Sequence, residues 1–569
     1  MRRGRAVFAT VFLAVLLVRG AYLFHLSKTP LSLWHLWTQT DEWGYVDWSA
    51  HLAAGNWRDV PAWRSYFGWQ ETYGSPEDWE QWYQKNAYFS GPLYPYGLAA
   101  LRLMFGSPVW PARILQLLLA CLASSVIALA VFGFGEDLLR RGREEGGARG
   151  LAAAAILAGL LYGLYGPLVF HDGFLLRDGP VAHLSTLLLA WPLIARGRPE
   201  EKEEKREISS NEEERAAAQG GRSALFLGLL GGVAILLKQT TAPLALASLY
   251  LLSKKFSGGA KRRRIALMGA LGLALPLSVL CIRNISAGVP PLTFDTRQAL
   301  GLVWGNGEGA SASTSPPASM GRILTEARGS TLRTARVVLE GYKDAPLDLP
   351  KLLLRKFATF FNAYEAPDNA SFYFFRDRLR ILRWLPVFSC LLGAGLVGLI
   401  AARMLGVLRK GEFALAVVAI LTPLAACLLV FTNSRYRAAI AGPLALGAGL
   451  FILITLKALR QRRLRELGLL AVAAGALSLV PLLPSVIPAG RHRFSDAMVY
   501  ATLLEGQGDR AEAAREVQRY LEEGADDSLR NAGIVSLRHW YETGNRDGAN
   551  IAPEGLAPPE RRLNLLQRR

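Results

Sequence analysis

Two adjacent acidic residues, Asp41 and Glu42, stand among aromatic residues shortly after a long apolar segment. A pair of carboxylates in such a place could supply a general base together with an anchor for a metal ion or a substrate. The same pattern also suits a helix start, in which Thr40 or Asp41 caps the first turn and Glu42 interacts with the helix dipole. The sequence leaves both interpretations open.

A second acidic group lies between two further apolar segments and contains Asp172 and Asp178. Asp178 directly precedes a long apolar run, and ionisable residues at such a position are functional candidates by default. It would otherwise cap the following helix and pair with Arg177. His171 could be a ligand or a proton carrier, although it has no partner at a ligand-like spacing.

The elements that must position these residues are membrane-spanning helices. Half of the chain (51%) is hydrophobic, only 20% is charged, and the mean hydropathy is +0.21. A helix needs about 20 predominantly apolar residues to cross a hydrocarbon core. The sequence therefore predicts an all-α polytopic membrane protein of about eleven transmembrane helices, near 6–26, 109–133, 151–170, 179–195, 223–237, 240–253, 265–283, 384–401, 413–431, 438–456 and 467–486.

The net charge of +19 predicts how these spans are oriented. In a soluble chain such an excess would suggest nucleic acid as a partner. In a membrane protein it marks cytoplasmic loops, and the basic clusters all fall on one side if the basic amino terminus is cytoplasmic. We therefore expect no nucleic-acid partner, a retained first span and an extracytoplasmic carboxyl terminus. Arginine far outnumbers lysine, which indicates a GC-rich bacterial genome and hence the bacterial inner membrane.

The outer side should hold loops at about 27–108 and 284–383 and a tail from about 487. Segments 495–509 and 511–520 of the tail predict two short helices with small residues that resemble one tetratricopeptide unit. Such units rarely stand alone, so the tail should pack on the outer loops or on a protein partner. The predicted domains are a transmembrane domain at 1–486, a helical tetratricopeptide-like extracytoplasmic domain at 487–543 and a disordered tail at 544–569.

Taken in order, several segments resemble the integral-membrane glycosyltransferases of the C superfamily, in particular the branch related to protein O-mannosyltransferases and aminoarabinose transferases. The resemblance covers roughly residues 1–485. The matching segments are D-E-x-x-Y at Asp41, PLYPYGLAAL from Pro92, LLRD ending at Asp178, GGVAILLKQTTAP around Lys238, WGNGEGA from Trp304, FFNAYEAPDN from Phe360, and Ser434-Arg435-Tyr436-Arg437.

The resemblance implies a glycosyltransferase of the hexosyltransferase type, which moves a sugar from a polyprenyl-phosphate carrier to a protein, lipid or glycan acceptor on the extracytoplasmic side. Carried over by position, Asp41 would be the catalytic base and Asp178 the second acidic residue, with Glu42 and Asp172 as further candidates. Where some lipid-A-modifying relatives have a lysine before the Pro-Leu-Tyr segment, this chain has Ser90-Gly91, so lysine-mediated phosphate binding is not expected there.

Sugar transfer from a lipid phosphate builds positive charge on the sugar and negative charge on the leaving oxygen. A carboxylate that takes the acceptor proton and cations near the phosphate would lower both barriers. Lys238, Arg435 and Arg437 are the candidate cations, although snorkelling would also explain the arginines. Paired carboxylates could also hold a divalent metal, but no cofactor is certain. Further candidates for substrate contact are Tyr45, Tyr94, Asp172, Asn306, Glu365, Asp368 and Asn369.

Two other classes of function stay open. A transporter or flippase of polyprenyl-linked sugars would also bind the lipid donor, but such proteins more often show repeated halves and charges at mid-span. A membrane anchor for the tail would leave the tryptophan-rich first outer loop and its acidic pair unexplained. We therefore predict an inverting glycosyltransferase, with the transporter as the alternative.

Overall fold

The structure, a computed structural model, is built from helices throughout the residues that it describes. These residues are 2–38, 40–57, 70, 72–83, 86–142, 148–195, 210–256, 259–312, 314, 316–487 and 494–522. Helical stretches long and apolar enough to cross a membrane number 8 among them: Arg2–Ser27, Val109–Leu138, Ala218–Leu237, Gly259–Ser286, Arg380–Met404, Lys410–Leu429, Ser434–Arg460 and Leu464–Leu482. The predicted all-α polytopic membrane protein is confirmed.

The helices of the apolar bundle correspond to the predicted spans one by one. They are α1 (Arg2–Ser27), α5 (Val109–Gly142), α6 (Ala148–Gly163), α8 (Asp178–Ile194), α9 (Ser210–Leu237), α10 (Ala242–Lys254), α11 (Gly259–Ser286), α17 (Phe388–Met404), α18 (Lys410–Leu429), α20 (Ala441–Arg460) and α21 (Leu464–Leu479). Of these, α6, α8, α10, α17 and α21 are shorter than a full crossing of about 20 residues. Adjoining helical turns extend α17 and α21 to the stretches Arg380–Met404 and Leu464–Leu482.

The predicted span at 151–170 is wrong in one respect, because it is two helices. Helix α6 ends at Gly163, and the short α7 (Gly166–His171) follows. Pro167 lies in the first turn of α7, where a proline costs no hydrogen bond, whereas inside a continuous helix it would remove one. The break turns the chain so that His171 and Asp172 are buried.

The two loops predicted to lie outside contribute short helices, and so does the tail. The helices of these outer loops are α2 (Asp41–Ala53), α3 (Pro76–Trp82), α4 (Leu93–Phe105), α12 (Arg297–Asn306), α13 (Met320–Ala327), α14 (Thr331–Glu340), α15 (Asp348–Phe361) and α16 (Phe372–Arg378), and the tail forms α22 (Phe494–Gly506) and α23 (Arg510–Glu522). The one-turn helix α19 (Ser434–Arg437) directly precedes α20, at the start of the stretch Ser434–Arg460. Leu103, Met104 and Phe105 at the end of α4 are exposed, as expected for a helix in the membrane interface.

The predicted helix pair of the tail is present as α22 and α23. Met498, Ala501 and Val517 are buried between them, and the turn contains Gly508 at a φ of +89°, a conformation that glycine adopts without strain. The tetratricopeptide assignment itself stays a prediction. The predictions for 523–569 lie outside the described residues.

Glycines allow a close helix contact between α17 and α20. A Cβ atom at Gly447 would collide with the backbone carbonyl oxygen of Gly395, and one at Gly398 would collide with that of Gly447. Without a hydrophobic driving force between spans, such close approach of small residues supplies van der Waals contact.

Gly447→Val should therefore lower the Tm of the detergent-solubilised protein by several degrees, because overpacking of this kind typically costs about 1–3 kcal/mol. The matched control is Gly475→Val in α21, where an added Cβ meets nothing within 4 Å. Thermal unfolding of the two variants measures the difference. Equal Tm values in the two variants would show that α17 and α20 are not held by this contact.

Candidate functional site

Helix α2 begins at the acidic pair, and the two carboxylates of the pair point in different directions. Thr40 caps the helix, since its side-chain oxygen accepts a hydrogen bond from the backbone N–H of Trp43 at 3.3 Å. Successive residues on a helix are rotated by about 100°. Asp41 therefore reaches a cavity, while Glu42 is fully buried in the bundle. The helix start that the sequence suggested is present, and it positions Asp41.

Asp41 is held between two arginines. Its Oδ1 lies 3.1 Å from Nη2 of Arg297, and its Oδ2 lies 2.8 Å from Nη1 of Arg435. The side-chain amide of Asn369 donates to Oδ2 at 3.4 Å. Burial alone would raise the pKa of Asp41, but the charges of the two arginines outweigh it and hold the pKa well below its ordinary value. Asp41 is therefore ionised at neutral pH.

Arg435 joins three carboxylates at the start of α19. Besides its contact with Asp41, its Nε lies 2.7 Å from Oδ2 of Asp368, and its Nη1 lies 3.7 Å from Oδ2 of Asp178. The side chain is only 5% exposed. A planar guanidinium with several donors can serve carboxylates on different sides at once, so this one residue connects the two acidic groups that the sequence singled out.

Lys238 completes the group on the side of Asp178. It follows the end of α9, and its Nζ donates to Oδ1 of Asp178 at 2.8 Å. The same ammonium group lies 3.5 Å from the ring centroid of Tyr436, within the range of a cation–π contact. Asp178 thus begins α8 as predicted, but its ion pairs are with Lys238 and Arg435. Arg177 instead donates to the carbonyl oxygen of Leu237 at 3.0 Å.

Two cavities meet at Arg435. The larger, of about 340 Å³, is lined by Asp41, Arg297 and Asp368 together with aromatic side chains of the outer loops and residues of α22. The smaller, of about 30 Å³, is lined by Asp178, Lys238 and apolar residues of the spans. Arg435 lines both. Its guanidinium therefore stands between a polar outer chamber and a small recess at the ends of the spans.

Glu42, a catalytic candidate, lines neither cavity. Its Oε1 accepts a hydrogen bond from the backbone N–H of Leu175 at 2.8 Å and lies 3.9 Å from Nη2 of Arg113. Burial raises the pKa of Glu42 to about 7, against the opposing effects of Arg113 and the Leu175 N–H. Glu42 thus ties α2 to the turn before α8 and is placed as a structural residue.

Asp172 belongs to a separate buried polar group in the bundle. It pairs with Arg19 of α1, and its Oδ2 lies 2.8 Å from Nε2 of His183. The other ring nitrogen of His183 lies 2.7 Å from the hydroxyl of Tyr162. None of these residues lines the two cavities described above. Asp172 therefore lies outside the lining of the two cavities that contain Asp41 and Asp178.

Tyr45, Tyr94 and His171 are buried near the site and contact neighbouring side chains. The hydroxyl of Tyr45 lies 3.1 Å from Oγ of Ser90, and that of Tyr94 donates to Gln116 at 2.8 Å. Neither tyrosine lines either of the two cavities described above. His171 also lies outside the lining of the two cavities. Its Nε2 lies 3.0 Å from Oγ of Ser434, the residue before Arg435.

Two further pairs fix the second outer loop to the bundle. Arg437 lies 2.7 Å from Glu365, and both are buried. Lys356 donates to the side-chain oxygen of Asn306 at 2.7 Å and to the carbonyl oxygen of Val430 at 2.6 Å. Arg437, Glu365 and Asn306 are therefore placed to hold the backbone that carries Arg435.

Arg297 is a cation of the cavity lining that the sequence did not single out. It stands alone at the start of α12, with no motif around it, and its pairing with Asp41 joins residues 256 positions apart. The only available signal was a basic residue in an outer loop, where the positive-inside rule does not favour one.

The described residues assemble no group of three or more His, Cys, Asp or Glu side chains that could hold a metal ion. Asp41, Asp178 and Asp368 are matched by Arg297, Arg435 or Lys238 instead. A divalent metal stays a prediction from the sequence.

No protein-family model matches the chain, and no curated protein matches it. Among solved structures, the chain is similar to the apo form of the Archaeoglobus fulgidus oligosaccharyltransferase, with 12% identity and a TM-score of 0.41, over 96% of this chain and 61% of that chain. It is also similar to AglB from the same organism in complex with an inhibitory peptide and a dolichol-phosphate, with 12% identity and a TM-score of 0.37, over the same shares of the two chains. This chain therefore spans less than two thirds of the archaeal protein's length.

A third similar structure is ArnT from Cupriavidus metallidurans bound to undecaprenyl phosphate, with 16% identity and a TM-score of 0.32, over 98% of this chain and 76% of that chain. TM-scores at this level do not transfer an activity or a residue's role. The residues of the site itself must carry the functional argument.

The pKa of Glu42 predicts a pH dependence of stability. The raised value of about 7, against an ordinary 4.5, means that the unfolded chain releases this proton first as the pH rises. The free energy of unfolding should therefore fall between about pH 4.5 and 7 and level off above. In Glu42→Gln this fall should be smaller, as measured by the Tm of both proteins from pH 4.5 to 8. Identical pH profiles would contradict the assignment of a buried, protonated Glu42.

Proposed function

We propose that this chain is a membrane glycosyltransferase that takes a sugar from a polyprenyl-phosphate carrier and passes it, with inversion, to an acceptor at the extracytoplasmic face. The observation that carries the proposal is the position of Arg435. One guanidinium contacts Asp41, which lines the polar chamber, and also lines the recess of Asp178 and Lys238. A reaction that needs a base on one side and phosphate-binding cations on the other fits this arrangement.

The recess suits the phosphate end of a lipid. Its apolar wall includes Leu244, Ala419 and Pro423, and its cations are Lys238 and Arg435. Prenyl units would pack on the apolar residues, while the ammonium and guanidinium groups would donate charge-assisted hydrogen bonds to the phosphate oxygens. At about 30 Å³ the recess is too small for the phosphate as it stands, so side chains must move when the donor binds.

Asp41 is the proposed base on the chamber side. It takes the proton of an acceptor hydroxyl, whose oxygen attacks the anomeric carbon of the donor sugar from the face opposite the phosphate. The bond between that carbon and the phosphate oxygen breaks, and the bonding electrons leave with the polyprenyl phosphate. Lys238 and Arg435 stabilise the charge that develops on the leaving oxygen, and a single displacement inverts the anomeric carbon.

The contacts of Arg435 also link donor binding to the strength of the base. The charges of Arg297 and Arg435 outweigh the effect of burial and hold the pKa of Asp41 well below its ordinary value. A carboxylate with so low a pKa is a weak base. A donor phosphate competes with Asp41 for the guanidinium of Arg435. When the phosphate draws Arg435 away, the proton affinity of Asp41 rises, and the base becomes effective only once the donor is bound.

Asp41→Asn should separate binding from chemistry. Sugar transfer should fall by about 100-fold or more, because the base is lost. Binding of undecaprenyl phosphate should become severalfold tighter, because Arg435 loses a competing carboxylate. Transfer is read by mass spectrometry of cell-envelope glycans and glycoproteins from cells with the wild type or the variant, and binding by calorimetry on the full chain in lipid nanodiscs.

Lys238→Met is the matched variant on the phosphate-binding side of the site, because it keeps the side-chain length and removes the charge. Loss of one charge-assisted hydrogen bond should weaken the binding of undecaprenyl phosphate by about tenfold or more. If Asp41→Asn transferred sugar at the wild-type level, Asp41 would not be the base. The same result combined with a strong effect of Lys238→Met would favour the transporter or flippase, which needs the lipid phosphate but no base.

A further inference from the structure

Arg297 holds the oxygen of Asp41 that Arg435 does not hold. Its Nη2 lies 3.1 Å from Oδ1 of Asp41, whereas Nη1 of Arg435 lies 2.8 Å from Oδ2. The guanidinium carbon of Arg297 also lies 5.2 Å from the ring centroid of Phe89, within the range of a cation–π contact. The two oxygens of the proposed base therefore have separate cationic partners.

The two arginines differ in what else they can reach. Arg435 lines both the chamber and the recess, whereas Arg297 lines the chamber and lies outside the lining of the recess. The Arg297 side chain is also more open to the chamber, at 23% exposure against 5% for Arg435. A phosphate in the recess would therefore meet Arg435 and Lys238, and Arg297 would remain with Asp41.

Helix α12 is held at both ends, which fixes the position of Arg297 at its start. The backbone N–H of Thr296, the residue before the helix, donates to the carbonyl oxygen of Tyr88 at 2.9 Å. At the last residue, the side-chain amide of Asn306 donates to the carbonyl oxygen of Leu429 at 2.6 Å. Side chains on anchored helices are held more precisely than side chains on loops. Arg297 is therefore suited to orient a neighbouring group.

Asp41 needs a second cation most when Arg435 leaves it. Burial raises the pKa of Asp41, and the charges of Arg297 and Arg435 lower it. If both cations were lost, burial and the negative charge of the nearby phosphate would favour the protonated carboxyl group. A protonated carboxyl group cannot take a proton from the acceptor. One cation must therefore stay on Asp41 while the other binds the phosphate.

We infer that Arg297 is a positioning residue that holds Oδ1 of Asp41 and keeps the carboxylate ionised while Arg435 binds the donor phosphate. The inference rests on the proposed function and assigns the reacting atom within it. Oδ2, from which Arg435 departs, takes the proton of the acceptor hydroxyl. The hydroxyl oxygen bonds to the anomeric carbon, and the electrons of the broken bond leave with the polyprenyl phosphate. The side-chain amide of Asn369, which donates to Oδ2 at 3.4 Å, keeps that oxygen oriented.

Further titratable groups face Asp41 or its two arginines: Tyr45, Tyr83, Asp178, Asp295, Asp368 and Tyr436. A tyrosine is neutral or negative, and so is an aspartate, so none of these groups can replace the charge of Arg297. Burial raises the pKa of Tyr45 and of Tyr83, so both hydroxyls stay protonated at neutral pH. The charge state of Asp41 thus depends on the arginines.

Calorimetry can follow the protonation of Asp41 although the sugar is unknown. Undecaprenyl phosphate is titrated into the full chain in lipid nanodiscs at neutral pH, in two buffers that differ in ionisation enthalpy. The difference in heat gives the number of protons taken up on binding. Burial raises the pKa of Glu42 to about 7, and a phosphate monoester titrates near pH 6, at about its second pKa. Each protein is therefore compared with the same protein that also carries Asp41→Asn.

Arg297→Gln should take up about one proton more than its Asp41→Asn partner, because Asp41 becomes protonated when Arg435 leaves. Wild type and Arg297→Lys, which keep a cation beside Oδ1, should differ from their partners by less than about 0.3 proton. The matched control is Arg322→Gln, which removes an outer-loop arginine that is 50% exposed and pairs with Glu326. This control should take up the same number of protons as wild type.

Equal proton uptake by Arg297→Gln and wild type would overturn the inference. Uptake of a full proton by Arg297→Lys would overturn it as well, because that variant keeps the charge. So would a loss of lipid binding in Arg297→Gln as large as in Lys238→Met and with an unchanged Tm, because Arg297 would then hold the phosphate itself. Failure of the wild-type protein to bind undecaprenyl phosphate would instead contradict the proposed function.

Discussion

The buried pairing of Arg435 with Asp41, Asp178 and Asp368 is the interaction on which the rest of the site depends. Removing a charge from water costs several kcal/mol per ion unless partners and hydrogen bonds compensate it. Here the Arg435 side chain is 5% exposed, and Asp41 and Asp178 are 9% and 6% exposed, while Asp368 keeps 20% of its side chain exposed. The segments that carry these groups must therefore assemble together, because any one of them alone would leave a charge buried without a partner.

The fold meets this requirement by bringing distant parts of the chain to one point. Helix α2 supplies Asp41 from the first outer loop, the start of α8 supplies Asp178, and α19 supplies Arg435 between two spans. The pair of Glu42 and Arg113 holds the segment of Asp41 against the bundle, and the pair of Arg437 and Glu365 holds the segment of Arg435. The buried polar pairs around the site thus hold in place the charged centre at which we propose that the donor phosphate binds.

Local pattern was enough to predict the helices and some of the site. Apolar length predicted the bundle helices, apart from the break between α6 and α7. An acidic pair in the first outer loop selected Asp41, and ionisable residues at span ends selected Asp178, Lys238 and Arg435. The structure brings these four residues together. The sequence pattern could not predict the position of a side chain whose partners come from distant parts of the chain. Glu42 and Asp172 look like Asp41 and Asp178 in sequence, yet Arg113 and Arg19 from other helices take them into the bundle.

The proposed function depends on the movement of the Arg435 guanidinium from Asp41 to the donor phosphate. A cryo-electron microscopy structure of the full chain in nanodiscs with undecaprenyl phosphate bound would show this movement directly. We expect phosphate oxygens about 3 Å from Lys238 Nζ and the Arg435 guanidinium, and an Arg435–Asp41 distance longer than the present 2.8 Å. A phosphate bound away from the recess, with Arg435 still on Asp41, would contradict it.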